Sequence, residues 1–204
     1  MQKKLAPFQQ LMDYVDNFQS YNQLVGIAEI ARRYFAMNAF DGVLTTIGVL
    51  VGNYLAGVRD VSIPIRIGVA TSIAMGVSGL WGAYLTESAE RRRELLELEK
   101  VSLIDQSDTK IGRASRLAII VVSAVDSLAP FLAAMVVLLP LFFDSMIGNV
   151  MITYALSIAM ALLSLFGLGL FLGRISQGNL LGYGIRTLLA GVVAIAINFL
   201  MGGE

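Results

Sequence analysis

From Tyr34 to Val58 the chain runs for twenty-five residues with one formally charged side chain, Asp41. At about 1.5 Å of rise per residue, a helix of that length crosses a hydrocarbon core of ~30 Å. Within lipid, an isolated segment satisfies its backbone polar groups by forming a helix. Hydropathy places a first helix over about 33–58, followed by four more over about 65–86, 117–143, 146–172 and 181–201. The 204 residues are 56% hydrophobic and 15% charged, well below the ~25% charge of a soluble domain. The expected fold class is an all-α integral membrane protein with five transmembrane helices, forming one domain over 27–204.

The ends of the apolar segments define the rest of the layout. In residues 1–26, Leu5, Phe8, Leu11, Met12, Val15 and Phe18 recur at helical spacing, with Gln9, Gln10, Asp13 and Asp16 between them. This pattern predicts an amphipathic N-terminal helix lying on the membrane surface; a partner-binding or disordered arm is the alternative. No apolar core follows Lys3 and Lys4, so a signal peptide is not expected. Residues 87–116 read as a short, charged, cytoplasmic helical insert between helices two and three. Thirteen of the fifteen Lys and Arg residues fall on one side of the five-helix layout, and only Arg59 and Arg66 fall on the other. The positive-inside rule then predicts a cytoplasmic N-terminus and an outside C-terminus. A multi-pass protein of a prokaryotic cell membrane is expected.

Composition also limits the chemistry. The chain has no His and no Cys, which removes the usual zinc sites and Ser-His or Cys-His catalysis. An enzyme is not expected, nor is a tightly bound cofactor. The zero net charge gives no electrostatic argument for nucleic acid, which is not expected as a partner. A metal would have to be held by carboxylates, carbonyls, amides or Met thioethers, a donor set suited to Fe²⁺ or Mn²⁺.

Asp41 is the first candidate site residue, because a carboxylate in an apolar span costs ~2.5–3.5 kcal/mol on insertion scales. The alternative is an interfacial Asp that caps the helix or pairs with Arg32 or Arg33. Gly42, Gly48 and Gly52 follow it, and Gly48 and Gly52 permit close helix packing. Met75, in Ala74-Met75-Gly76 of helix two, reads on its own as a gap-filler. Asp126 lies four residues before Pro130, which cannot donate to the Asp126 carbonyl. That position offers a carboxylate and a freed carbonyl together, as in ion sites on broken helices; the alternative is a kink whose Asp pairs with Arg113 or Arg116. If helix two continues past Thr86, Glu87, Glu90, Glu94 and Glu97 fall within an arc of ~80°. A divalent cation would relieve their repulsion. The alternative is a solvated helix pairing Glu87 with Arg91 and Glu97 with Lys100.

Asp41-Gly42, Ala74-Met75-Gly76, the Glu-xx-Glu pairs Glu87/Glu90 and Glu94/Glu97, and the ending Gly182-Tyr-Gly-Ile-Arg-Thr-Leu-Leu-Ala-Gly191 together resemble the vacuolar iron transporter family. The resemblance covers about residue 26 to the C-terminus, and the order of the short motifs carries most of it. It implies a homodimer that moves Fe²⁺, and often Mn²⁺, out of the cytoplasm in exchange for protons. It implies further that Asp41 and Met75 are intramembrane metal ligands and the four Glu are cytoplasmic ones. Membrane lipid, divalent metal ions and protons are the partners it implies. Three features depart from the family. Ile67 stands where it has a glutamate two turns before the helix-two Met. The insert is short, and it has no Met between Glu87 and Arg116. Asp126 is a candidate replacement for the missing acid. A non-transporting membrane sensor or scaffold, whose Glu-rich helix binds cations, is the competing function class.

Overall fold

The structure, a computed structural model, describes residues 17–202. These are mostly helical, with no strand among them: α1 Phe18–Val25, α2 Ile27–Leu55, α3 Ser62–Ser102, α4 Lys110–Phe142, α5 Asp144–Ile147, α6 Val150–Ile175 and α7 Leu180–Met201. Five helical spans are long and apolar enough to cross a membrane: Ile27–Leu55, Ser62–Ser102, Lys110–Ile147, Val150–Ile175 and Leu180–Met201. The chain is thus built as a multi-pass membrane protein. Most of the expected N-terminal amphipathic helix lies outside the described residues. Within that stretch the described residues hold α1, which ends where Gly26 turns left-handed at φ 65°. The Asn22 side chain then accepts from the Ala28 N–H at 2.6 Å at the start of α2.

Three boundaries differ from the hydropathy reading by well over a turn, the first being helix one, which begins at Ile27 and not near residue 33. Helix two does not stop at Thr86 but continues as α3 to Ser102, and helix three begins at Lys110 and not at Leu117. Residues 87–102 are rich in Glu, Leu and Arg, all strong helix formers, so the loss of apolarity moves the polar boundary without ending the helix. Between α3 and α4, Asp105 takes a hydrogen bond from the Ser107 N–H at 2.8 Å. Hydrogen bonding by the Ser107 side chain and backbone holds its carboxyl below the usual range. The expected tight turn at Asp144-Ser145 is the one-turn helix α5, whose Asp144 accepts from the Thr153 hydroxyl at 2.7 Å.

The chain divides into two compact units. The first comprises 17–34 and Gly79–Asp126, and its core is Tyr21, Ile27, Ala114, Leu117 and Ala118. The second comprises Phe35–Ser78 and 127–202. Val43, Ile47 and Leu50 of α2, Val137, Leu138 and Leu141 of α4, and Tyr154 and Leu165 of α6 form its core.

Within the second unit, α6 and α7 pack as an antiparallel pair through glycine. A Cβ on Gly169 would lie 2.6 Å from Gly184 Cα, one on Gly173 2.9 Å from Leu180 Cα, and one on Gly184 2.6 Å from the Phe166 ring. Small residues at such crossings are what lets membrane helices approach. Gly167, two residues before Gly169, has open space at its Cβ position. Gly169→Ala is therefore expected to destabilise the protein by the ~1–3 kcal/mol typical of overpacking, while Gly167→Ala leaves its stability unchanged or slightly raised. Thermal unfolding in detergent measures both, and equal midpoints for the two variants would contradict this packing.

Candidate functional site

Asp41 and Gly42 are adjacent in sequence but lie ~100° apart around α2 and so meet different surroundings. Gly42 is buried against α4, where a Cβ would lie 2.5 Å from the Pro130 carbonyl oxygen and 2.7 Å from Pro130 Cα. Asp41 is exposed on the surface of the second unit. Among the described residues it makes no hydrogen bond or ion pair, so neither pairing with Arg32 nor pairing with Arg33 holds it. Thr45, Gly48 and Gly52 follow it four, seven and eleven residues on, in one stripe along the helix at ~100° per residue. The stripe is open: a Cβ on Gly52 meets nothing within 4 Å, and one on Gly48 meets only Asn198 Oδ1 at 4.0 Å.

Met75 is half-buried on α3. Its neighbour Gly76 is packed so closely that a Cβ would come within 2.9 Å of the Ser127 carbonyl oxygen. In the first unit, Gly79 has the same role, with 2.9 Å to the Asp126 carbonyl oxygen and 3.1 Å to Asp126 Oδ2. Asp126 itself is buried, at 7% exposure. It lies in the middle of α4, which runs unbroken through Pro130 and Pro140. The helix expected over about 117–143 does contain both prolines. Proline inside a membrane helix is tolerated where neighbouring helices accommodate the freed backbone. Of the two arginines expected near Asp126, Arg116 reaches Asp108 at 3.9 Å.

The glutamate column falls on the continuous α3, but it is divided among arginines. Glu87 and Arg91 are both buried, at 8% and 7% exposure. Arg91 Nη1 donates to Glu94 Oε2 at 2.7 Å, and Arg91 Nε lies 3.5 Å from Glu87 Oε2, an ion pair without an aligned hydrogen bond. Glu97 pairs with Arg93 at 3.1 Å on the exposed face, in place of the expected Lys100. Glu90 is exposed. Among the described residues no group of three or more Asp or Glu is placed to hold a metal ion. One residue joins the site that sequence reasoning missed. The Tyr34 hydroxyl donates to Glu87 Oε1 at 3.4 Å and lies within electrostatic reach of Asp126. Its only sequence signal is that it opens the uncharged run of α2, where interfacial tyrosines are common.

A helical, multi-pass membrane protein with carboxylates on its first two long helices is the class that fold and site define. The chain belongs to the family of an uncharacterized protein, MJ0645, of Methanocaldococcus jannaschii. It is 30% identical to that protein over 172 residues, which cover 83% of this chain and 86% of the relative. No family model matches the chain, and no solved structure matches it.

The buried pair makes an energetic prediction. Arg91→Met leaves Glu87 buried without its cation and is expected to cost ~3–5 kcal/mol. Arg93→Met breaks an exposed, solvent-screened pair and is expected to leave stability near that of the wild type. Adding Glu87→Gln to Arg91→Met is expected to recover most of the loss. Chemical denaturation of the purified variants reads all three, and equal costs for Arg91→Met and Arg93→Met would refute a structural role for the buried pair.

Proposed function

We propose that this chain is a homodimeric divalent-metal transporter, exporting Fe²⁺ and also Mn²⁺ from the cytoplasm by proton antiport. The observation that carries the proposal is Asp41. It is an exposed carboxylate without a partner among the described residues, within a span apolar enough to cross a membrane, beside a stripe of small residues. Two α2 helices packed along that stripe about a two-fold axis would bring two Asp41 side chains together. With Met75 from each protomer they would make a mixed oxygen and sulfur site, suited to Fe²⁺ and poor for Mg²⁺. A carboxylate must lose its proton to ligate a metal, so metal entry and proton binding compete there. The resemblance noted above supports the same assignment.

In this reading Glu87, Glu90, Glu94 and Glu97 collect metal at the cytoplasmic mouth, on the charged end of α3. The ion displaces Arg91 and Arg93 from the carboxylates they pair with in one protomer. Ile67, exposed at 43%, supplies no acid where the family has one. Asp126, close to Tyr34, is the residue assigned that proton-carrying role. The N-terminus lies in the cytoplasm and the C-terminus outside. A second reading, a sensor or scaffold that does not transport, draws on the arginine pairs, which satisfy Glu87, Glu94 and Glu97 without metal.

Asp41→Asn is expected to abolish Fe²⁺ flux in proteoliposomes while the protein still inserts and dimerises. Met75→Ala is expected to weaken Fe²⁺ transport more than Mn²⁺ transport, because the softer ion gains more from a thioether. Wild-type flux through Asp41→Asn would remove the main support for the transporter reading.

A further inference from the structure

A groove of about 460 Å³ opens on the second unit between α2, α4 and α6. Phe35, Val43, Leu132, Val136, Gly167 and Phe171 are among its walls. Its one hydroxyl, that of Ser164, already donates to the Met160 carbonyl at 2.8 Å. The groove therefore offers apolar surface and no free hydrogen-bonding group. A second groove, of about 570 Å³, shares the Phe171 wall and is lined by Arg174 and Gln177. Ser164, Gly167, Phe171 and Arg174 lie on one face of α6, at spacings of three, four and three residues. Arg174 is exposed and makes no ion pair among the described residues.

The geometry points to a binding site for one anionic phospholipid, with an acyl chain in the apolar groove and its phosphate against Arg174. Length supports this occupant. The ten residues from Ser164 to Arg174 span ~15 Å, half of a ~30 Å hydrocarbon core, which is the reach of one leaflet. Charge supports it as well, since a guanidinium matches a phosphate in bidentate geometry. A second copy of the chain fits less well. Ala39 and Val43 of α2 face the groove, and Asp41 is turned ~200° from either around the helix. The face proposed for dimerisation is therefore turned away from the groove.

Native mass spectrometry of the full chain in detergent tests the site. The probes are phosphatidylglycerol and phosphatidylcholine with the same acyl chains. Wild type is expected to retain phosphatidylglycerol about fivefold better, the contribution of one basic residue at a membrane surface. Arg174→Gln is expected to lose that preference and Arg174→Lys to keep part of it, since an ammonium keeps the charge and loses the bidentate fit. Gly167→Leu, built where a Cβ meets nothing within 4 Å, is expected to reduce retention of both lipids. Added inorganic phosphate is expected to displace neither. The site is overturned if wild type retains the two lipids equally, or if the preference survives Arg174→Gln. Displacement of lipid by inorganic phosphate would also overturn it. So would a Gly167→Leu protein that changes oligomeric state with lipid retention intact, which would place a second copy in the groove.

Discussion

Lipid tails cover an apolar helix surface about as well as another helix does, so membrane helices are held together by close packing and not by exclusion from water. The contacts at glycine show this constraint throughout the chain. Gly42 admits the Pro130 backbone, Gly76 admits that of Ser127, and Gly169 admits Gly184. Each is a place where a single methyl group would separate two helices. The contacts at Pro130, Ser127 and Asp126 lie within four residues of one another on α4, where proline removes a backbone donor. Glycine on the neighbouring helices is what permits their close approach at that point. The candidate residues Asp41 and Met75 each sit one residue before such a contact. Their backbone positions are fixed by packing, while Asp41 is left exposed.

The carboxylates are sorted by the same packing. Glu87 is buried, with Arg91 on one oxygen and the Tyr34 hydroxyl on the other. A charge taken out of water needs such partners. Asp41 has none among the described residues, and it lies on the outer surface of a helix apolar enough to span a bilayer. An unpaired carboxylate facing hydrocarbon is costly. A metal ion, a proton or a second protomer would each reduce that cost, and the proposed transporter uses all three at this position.

Much of the fold was legible in the sequence, because an apolar run long enough to cross a bilayer leaves a chain few options. The five spans were visible in this way. The end of helix two was not, since hydropathy registers the change from lipid-compatible to charged residues, while Glu, Leu and Arg keep the helix going to Ser102. The glutamate column falls on one helix, as it would if helix two continued, and Glu87 pairs with Arg91 as the sequence allowed, but the partner of Glu97 is not the one expected. Choosing between Arg93 and Lys100 for Glu97 depends on side-chain direction, as both lie one turn away. Tyr34 escaped notice because its role comes from a contact fifty-three residues along the chain. Asp41 and Gly42 were read as one motif, and only the position of Pro130 separates their roles.

The most direct measurement is metal uptake by vesicles containing the purified protein, comparing Fe²⁺, Mn²⁺, Zn²⁺ and Ca²⁺ with and without a pH gradient. The expected result is Fe²⁺ and Mn²⁺ flux that rises with an opposing proton gradient, with Ca²⁺ excluded because a hard ion gains little from a thioether. Binding of metal to the protein with no flux of any of the four ions, in either condition, would contradict the transporter and favour the sensor.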